Sequence, residues 1–396
     1  MTSSSDLPDQ FLSMRESAMR AIAPVKSADS NTTADTDFLF SAERTSAGNN
    51  LPPYYLVYFL LVQLLNFKNL GRSEKVAWSV PIDLQGRAFL VEHRKLGIGV
   101  FAHDAEKEEG AAQQIVSRIR DGVKVAEPYF EWLAEQAVEV SAVNVINNSM
   151  PLFDRYVFLL EAYDAKTEEA ERLKDEVIVE EGEAAGGQSW TSYSVPSYQL
   201  RIEASWLAIS AIEAFFSWTE HAFIHLAILT GRITAAKDIA ALAVSSWPDK
   251  FKAALVITDP DTKGLYDQLL SVRREVRNFV AHGAFGKQGE AFMFHSGAGA
   301  VPVLLPQRSG NRGFVFGDRL AFDAAAAIGV VRDFESYLWA GSRAQAGMHI
   351  QESGLPTVLT MAADGTYLAA MDSSDSMEEF ITLMNYQFDQ AANMDW

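Results

Sequence analysis

The chain has 396 residues, 33 of them basic and 52 acidic, for a formal net charge of −19, and no cysteine. Its 48% hydrophobic and 11% aromatic content supports large packed cores and excludes a wholly disordered chain, and its length predicts two or three domains. The missing thiols exclude disulfide scaffolds, cysteine–zinc or iron–sulfur ligation and thiol nucleophiles; the charge argues against coating nucleic acid or an anionic membrane through the overall field, yet leaves room for a local basic site.

In chain order, residues 1–50 are rich in Ser, Thr, Asp and Ala and predict a helical or partly flexible lead-in, with no basic region and apolar core of a signal peptide. Pro52 and Pro53 open the most apolar run, residues 54–65, too short for the ~20 residues of a spanning helix and so expected to be a buried one. A soluble, cytoplasmic protein is the expectation. Segments 76–82, 88–93 and 98–102 are short and β-like, with Gln85-Gly86 between the first two, and predict an antiparallel meander. Residues 111–141 and 152–178 carry helical apolar spacing, the latter with a mixed-charge second half typical of a solvated face.

Residues 180–195 turn acidic, then glycine-rich, and read as a linker. Beyond it, residues 200–230 predict a helix ended by Gly231, with further helices at 234–244, 265–281 and 319–339 and strand-like pieces at 291–295, 301–305 and 314–316. The tail reads as a hairpin turning at Asp364-Gly365, then a helix over 377–389. The expected fold class is mainly α with small β parts: an N-terminal α+β region (1–179), serving a sensory, regulatory or partner-binding role; a linker (180–195); a four-helix bundle (196–345); and a C-terminal hairpin and helix (346–396).

The chemistry-bearing motif ends the third helix of that bundle: Arg273, Arg274, Arg277, Asn278 and His282 before Gly283. Arg-x4-His with Asn after the Arg, late in a long helix, resembles the signature of HEPN domains. The looser spacing recurs at Arg87…His93 and Arg343…His349, without the Asn. The resemblance covers residues 196–345 and includes a first helix carrying Glu213 within an apolar stretch. It implies a metal-independent endoribonuclease of toxin–antitoxin, antiphage-defence or RNA-processing type, needing no cofactor or metal and working as a homodimer whose two motifs share a cleft, with an antitoxin or other regulatory protein as a further partner. The alternative within the family is a non-catalytic interaction module that binds a nucleotide or phosphate.

The residue types suit the first reading. RNA cleavage through the 2′-hydroxyl needs a base, an acid and cations at the phosphate. A histidine titrates near working pH, and the planar fork of Arg277 suits phosphate oxygens. Asn278, one turn before His282, would orient the ring or donate to phosphate. Arg277 stands roughly 140° around an ideal helix from His282, so one helix aims both at a point only if its end unwinds, as Gly283 permits. Glu213 would support the site, and Arg273, Arg274 and Lys287 would contact RNA.

Each residue also has a plainer role. Arg277 would pair with Glu275, His282 would favour the helix C-terminus through the dipole, and Glu213 would be exposed or hold a buried Arg. His221 and His225, one turn apart, are a rival metal pair, but their apolar neighbours suggest core histidines. No P-loop, dinucleotide fingerprint or GxSxG elbow is present. Residues 196–345 hold 15 basic and 14 acidic residues, a balance of +1, so the flanks carry −20. Acidic flanks would keep bulk RNA away and confine binding to the motif.

Overall fold

The computed structural model describes residues 7–34, 36–184, 186–282, 292–297, 299–304, 315–316 and 323–394; for 278–282, 292–294, 302–304 and 315–316 it describes the backbone alone. The protein is mainly helical with small antiparallel sheets. Its residues fall into two units, Met1–Val140 with Thr382–Trp396, and Ser141–Ile381.

The first unit contains, in order, helix α1 (Leu12–Ile22), strand β1 (Val25–Ser27), helix α2 (Phe38–Ser41), strand β2 (Glu43–Arg44), helix α3 (Tyr54–Tyr58) running into a π-helical turn (Phe59–Leu64), strands β3 (Val76–Leu84), β4 (Arg87–Arg94) and β5 (Gly97–Ala102), and helices α4 (Glu109–Val125) and α5 (Glu127–Glu139). The expected meander is present, widened by β1 and β2 into a five-stranded sheet of order β1-β3-β4-β5-β2. Leu84 pairs with Arg87 across Gln85 and Gly86, both at positive φ, the geometry that a tight two-residue hairpin demands.

The side-chain period of two sorts this sheet. Val80, Ile82, Phe89 and Val91 join the main core with Ile22, Ile115 and Ile119, and Leu90 and Phe101 pack on the other face with Phe38. The apolar run from residue 54 is the buried helix expected, with Val57, Leu60, Leu61 and Leu64 in that core. Among the described residues no helix is long and apolar enough to cross a membrane. The single helical stretch expected over 111–141 is two helices, because Pro128 at the start of α5 begins a new one.

The second unit begins with strand β6 (Asn144–Val145) and helix α6 (Ser149–Arg172), followed by strands β7 (Ile178–Ala184) and β8 (Gln188–Ser194) and the 34-residue helix α7 (Pro196–Leu229). Helices α8 (Ala236–Ala243), α9 (Trp247–Ala254) and α10 (Pro260–His282) follow, then strands β9 (Phe292–Ser296), β10 (Gly299–Leu304) and β11 (Val315–Phe316), which form an antiparallel three-stranded sheet, and helix α11 (Ala324–Leu338). Helix α12 (Ala344–Gly347), a π-helical turn (Met348–Ser353), strand β12 (Thr357–Val358), paired with β6, and helices α13 (Leu359–Ala363) and α14 (Thr366–Ala370) follow, and the last helix, α15 (Ser374–Asn393), belongs to the first unit from Thr382 onward.

Helix α7 buries most of its surface, including Ile212, Phe215, Trp218, Thr219, Ala222 and Phe223, and leaves one exposed stripe along Trp206, Ser210, Glu213 and Ser217, which marks it as the central helix of this unit. Helix α6 runs antiparallel to it: Tyr156 stacks on Trp218, and Lys166 pairs with Glu203 at 3.0 Å nearer the start of α7. Phe334 of α11 packs edge-on against Phe215 and Phe223, and Trp247 and Phe251 of α9 close the other side.

Three expectations are corrected. Residues 180–195 are not a linker: Ile178, Val179, Trp190, Thr191 and Tyr193 favour extended backbone, and Gly186 and Gly187 supply the positive-φ turn of a hairpin. The division between units falls after residue 140 rather than in that stretch, because the aromatic face of α6 packs on α7. The tail has no hairpin at Asp364-Gly365. Leu359, Ala362, Tyr367 and Ala370 are buried at helical spacing, and Gly365 at φ 85° separates two short helices.

Candidate functional site

Helix α10 carries the Arg–Asn–His motif. Asp259 opens it by accepting the Thr262 N–H at 2.9 Å and its hydroxyl at 2.6 Å. That hydroxyl also bonds the Tyr337 hydroxyl of α11. Leu269, Val272 and Val276 face inward, as their spacing predicts. The opposite side presents Arg274 and Arg277, both exposed.

Arg273 is held at the edge of this surface. Its guanidinium lies 3.5 Å from Glu220 Oε1 of α7 and faces the rings of Phe216 and Trp247. The other oxygen of Glu220 accepts from Lys250 Nζ at 2.7 Å, and the Lys250 side chain is only 6% exposed. One carboxylate therefore links the buried Lys250 of α9 to the arginine-bearing face of α10. Glu213, expected to play this supporting part, is exposed on α7 with no hydrogen bond to any described group. The missed signal lay two turns further along the same helix, in a second glutamate between Thr219 and His221.

Glu275 accepts the Ser271 hydroxyl at 3.0 Å, and among the described residues it makes no ion pair with Arg277. Arg277 has no partner among the described side chains. The side chains of Asn278 and His282, and all of Lys287, lie outside the described residues. The backbone remains helical through His282, so the unwinding that would bring positions 277 and 282 together in one chain is absent.

The two looser Arg…His pairs serve local structure. Arg343 donates to the carbonyls of Leu338 and Tyr337, closing the end of α11, and Arg87 pairs with Glu108. His93 stacks on Tyr54 with ring centres 4.0 Å apart.

His221 and His225 belong to a buried polar seam. The Asn148 N–H donates to His221 Nε2 at 2.8 Å, which makes that nitrogen an acceptor. His225 Nε2 lies 3.1 Å from it, and His225 Nδ1 lies 2.7 Å from the Thr357 hydroxyl, so both ring nitrogens of His225 are within hydrogen-bond distance of a partner. Burial, reinforced by His221 and His349 nearby, holds His225 down to about 3, and burial holds His349 down to about 4. These rings are neutral at pH 7. The ring nitrogens of His221 and His225 face Asn148, Thr357 and each other, and among the described residues no group of three or more His, Asp or Glu is placed to hold a metal ion.

In comparisons with protein-family models, curated proteins and solved structures, the chain matches none.

Proposed function

We propose that the protein is a metal-independent endoribonuclease of the HEPN type, in which Arg277 and His282 act with Asn278 at the end of α10. The observation that carries this reading is the exposed Arg277, without a partner among the described side chains, beside Arg274 on a long helix whose opposite face is anchored in the core. In this reading Arg277 neutralises the charge that builds on the phosphate, and His282 moves the proton of the 2′-hydroxyl or of the leaving oxygen. Arg273, fixed by Glu220, extends the positive surface for RNA.

Continuity of the helix through His282 separates the two positions by roughly 140° within one chain. In this reading the composite site draws on a second copy, whose motif supplies the other half. The same continuity supports a second reading, a non-catalytic module whose arginines bind phosphate without cleaving.

Incubation of RNA with the full-length protein in EDTA separates the two. Cleavage that persists in EDTA and disappears in both Arg277→Ala and His282→Ala supports the nuclease. Salt-sensitive RNA binding without cleavage, weakened by Arg277→Ala, supports the binding module.

A further inference from the structure

Among the described residues, the hairpin β7–β8 contributes no buried side chain to a core. All seven residues of β8 are exposed, as are all of β7 except Gly182. Ile178 is 42% exposed, Val179 50%, Trp190 45% and Tyr193 70%. The two strands pair only with each other among the described residues, so each has a free outer edge. A lone two-stranded hairpin is at best marginal in water, and its backbone edges are templates for another strand.

The register sorts its side chains. Ile178, Glu180, Gly182 and Trp190 share one face, and Val179, Glu181, Glu183 and Tyr193 the other. Trp190 lies across Gly182, where an added Cβ would stand 2.7 Å from the ring, so the strand keeps a glycine for the indole to cover. Each face thus offers one aromatic and one aliphatic group. The glutamates all lie on β7 and occupy both faces beside its free edge. None of the three makes an ion pair among the described residues, and the hairpin has no basic residue.

We infer that the free edge of β7 receives an extended, basic segment of a partner protein as a third, antiparallel strand. Backbone pairing would supply the frame, and Glu180, Glu181 and Glu183 would select the side chains. An antiparallel strand opposite residues 183 to 180 meets carboxylates at its first, third and fourth positions, so the matching pattern is basic-x-basic-basic. This charge pattern also decides against self-pairing: a second β7 would set glutamates against glutamates, and the chain contains no basic-x-basic-basic run in either direction. The occupant is therefore a different protein.

The test uses the full-length chain and two synthetic peptides of equal composition, TVKTKKVT and KTVKTVKT, with affinity read by calorimetry and backbone pairing by amide hydrogen exchange. The first peptide should bind about tenfold more tightly than the second and slow exchange at residues 178–184. The triple variant Glu180→Lys, Glu181→Lys, Glu183→Lys should lose that preference. An equal charge change on α5, at the exposed Glu127, Glu131 and Glu135, should leave it intact. Equal affinity for the two peptides, equal loss in both variants, or binding without slowed exchange in β7 would reduce the effect to net-charge attraction and overturn the inference. Self-association of the wild type that the β7 variant abolishes would overturn it in favour of a second copy.

Discussion

His349 sits 1% exposed between Tyr367 and Phe380, with no hydrogen-bond partner for either ring nitrogen among the described residues. A buried polar group left unpaired costs about 1–3 kcal/mol, so His349→Leu should stabilise the fold by about 1 kcal/mol, read as a raised urea midpoint with an unchanged slope. Glu220 is the opposite case. Removing its charge leaves Lys250 buried without a counter-ion. Breaking a fully buried pair costs about 3–5 kcal/mol, and Glu220 keeps some contact with solvent, so Glu220→Gln should cost about 2 kcal/mol in the same experiment. It should also loosen Arg273 and weaken RNA binding if α10 is the RNA surface. The sequence alone pointed to Glu213, because an isolated glutamate among apolar residues looks buried in one dimension. Which of two glutamates seven residues apart meets a cation depends on where α9 and α10 pack, and the sequence of α7 does not contain that.

At the scale of elements, the aromatic packing around α7 decides how the second unit is built. Phe334 touches Phe215, Phe223 and Phe251, so Phe334→Ala should cost about 3–5 kcal/mol in thermal or urea unfolding. The histidine seam links α7 to the segment after β6, through Asn148, and to β12, through Thr357. Its pH dependence follows from the sign of the shifts. Folded-state values of about 3 for His225 and about 4 for His349 lie below the ordinary 6.5, so the unfolded chain takes up these protons first. Their contribution is complete above about pH 6.5 and is lost as pH falls toward 4 for His349 and toward 3 for His225. The melting temperature should drop across that window, and His349→Leu should flatten the drop. Long helices and the meander were legible because their periods, 3.6 and 2, persist over many residues. The tail at Asp364-Gly365 was misread because a two-residue turn signal also joins two short helices, and the flanking Ala, Leu and Met decide between them.

For the whole molecule, the segment 196–345 reads as a self-contained unit by sequence, but its central helix is covered by α6 from outside that range. Expressed alone, it would expose Phe215 and Trp218 where Tyr156 and Phe153 now pack. It should show no cooperative thermal transition, whereas the full chain should. A test of whether the acidic flanks restrict RNA access therefore needs charge changes in the full chain, not excision. The near-neutral balance of residues 196–345 beside flanks of −20 remains a property of composition, independent of where the units divide.

By itself, the sequence determined the mainly helical class, the antiparallel meander, the buried run from residue 54 and the long helix that carries the Arg–Asn–His motif, because each rests on local periodicity and turn chemistry. Tertiary structure alone decided that Glu220 holds Arg273 and Lys250, that His221 and His225 form a seam with Thr357, and that α6 belongs with α7. These are contacts between residues up to 132 positions apart, and an energy that arises only when two distant surfaces meet leaves no periodic trace in either one.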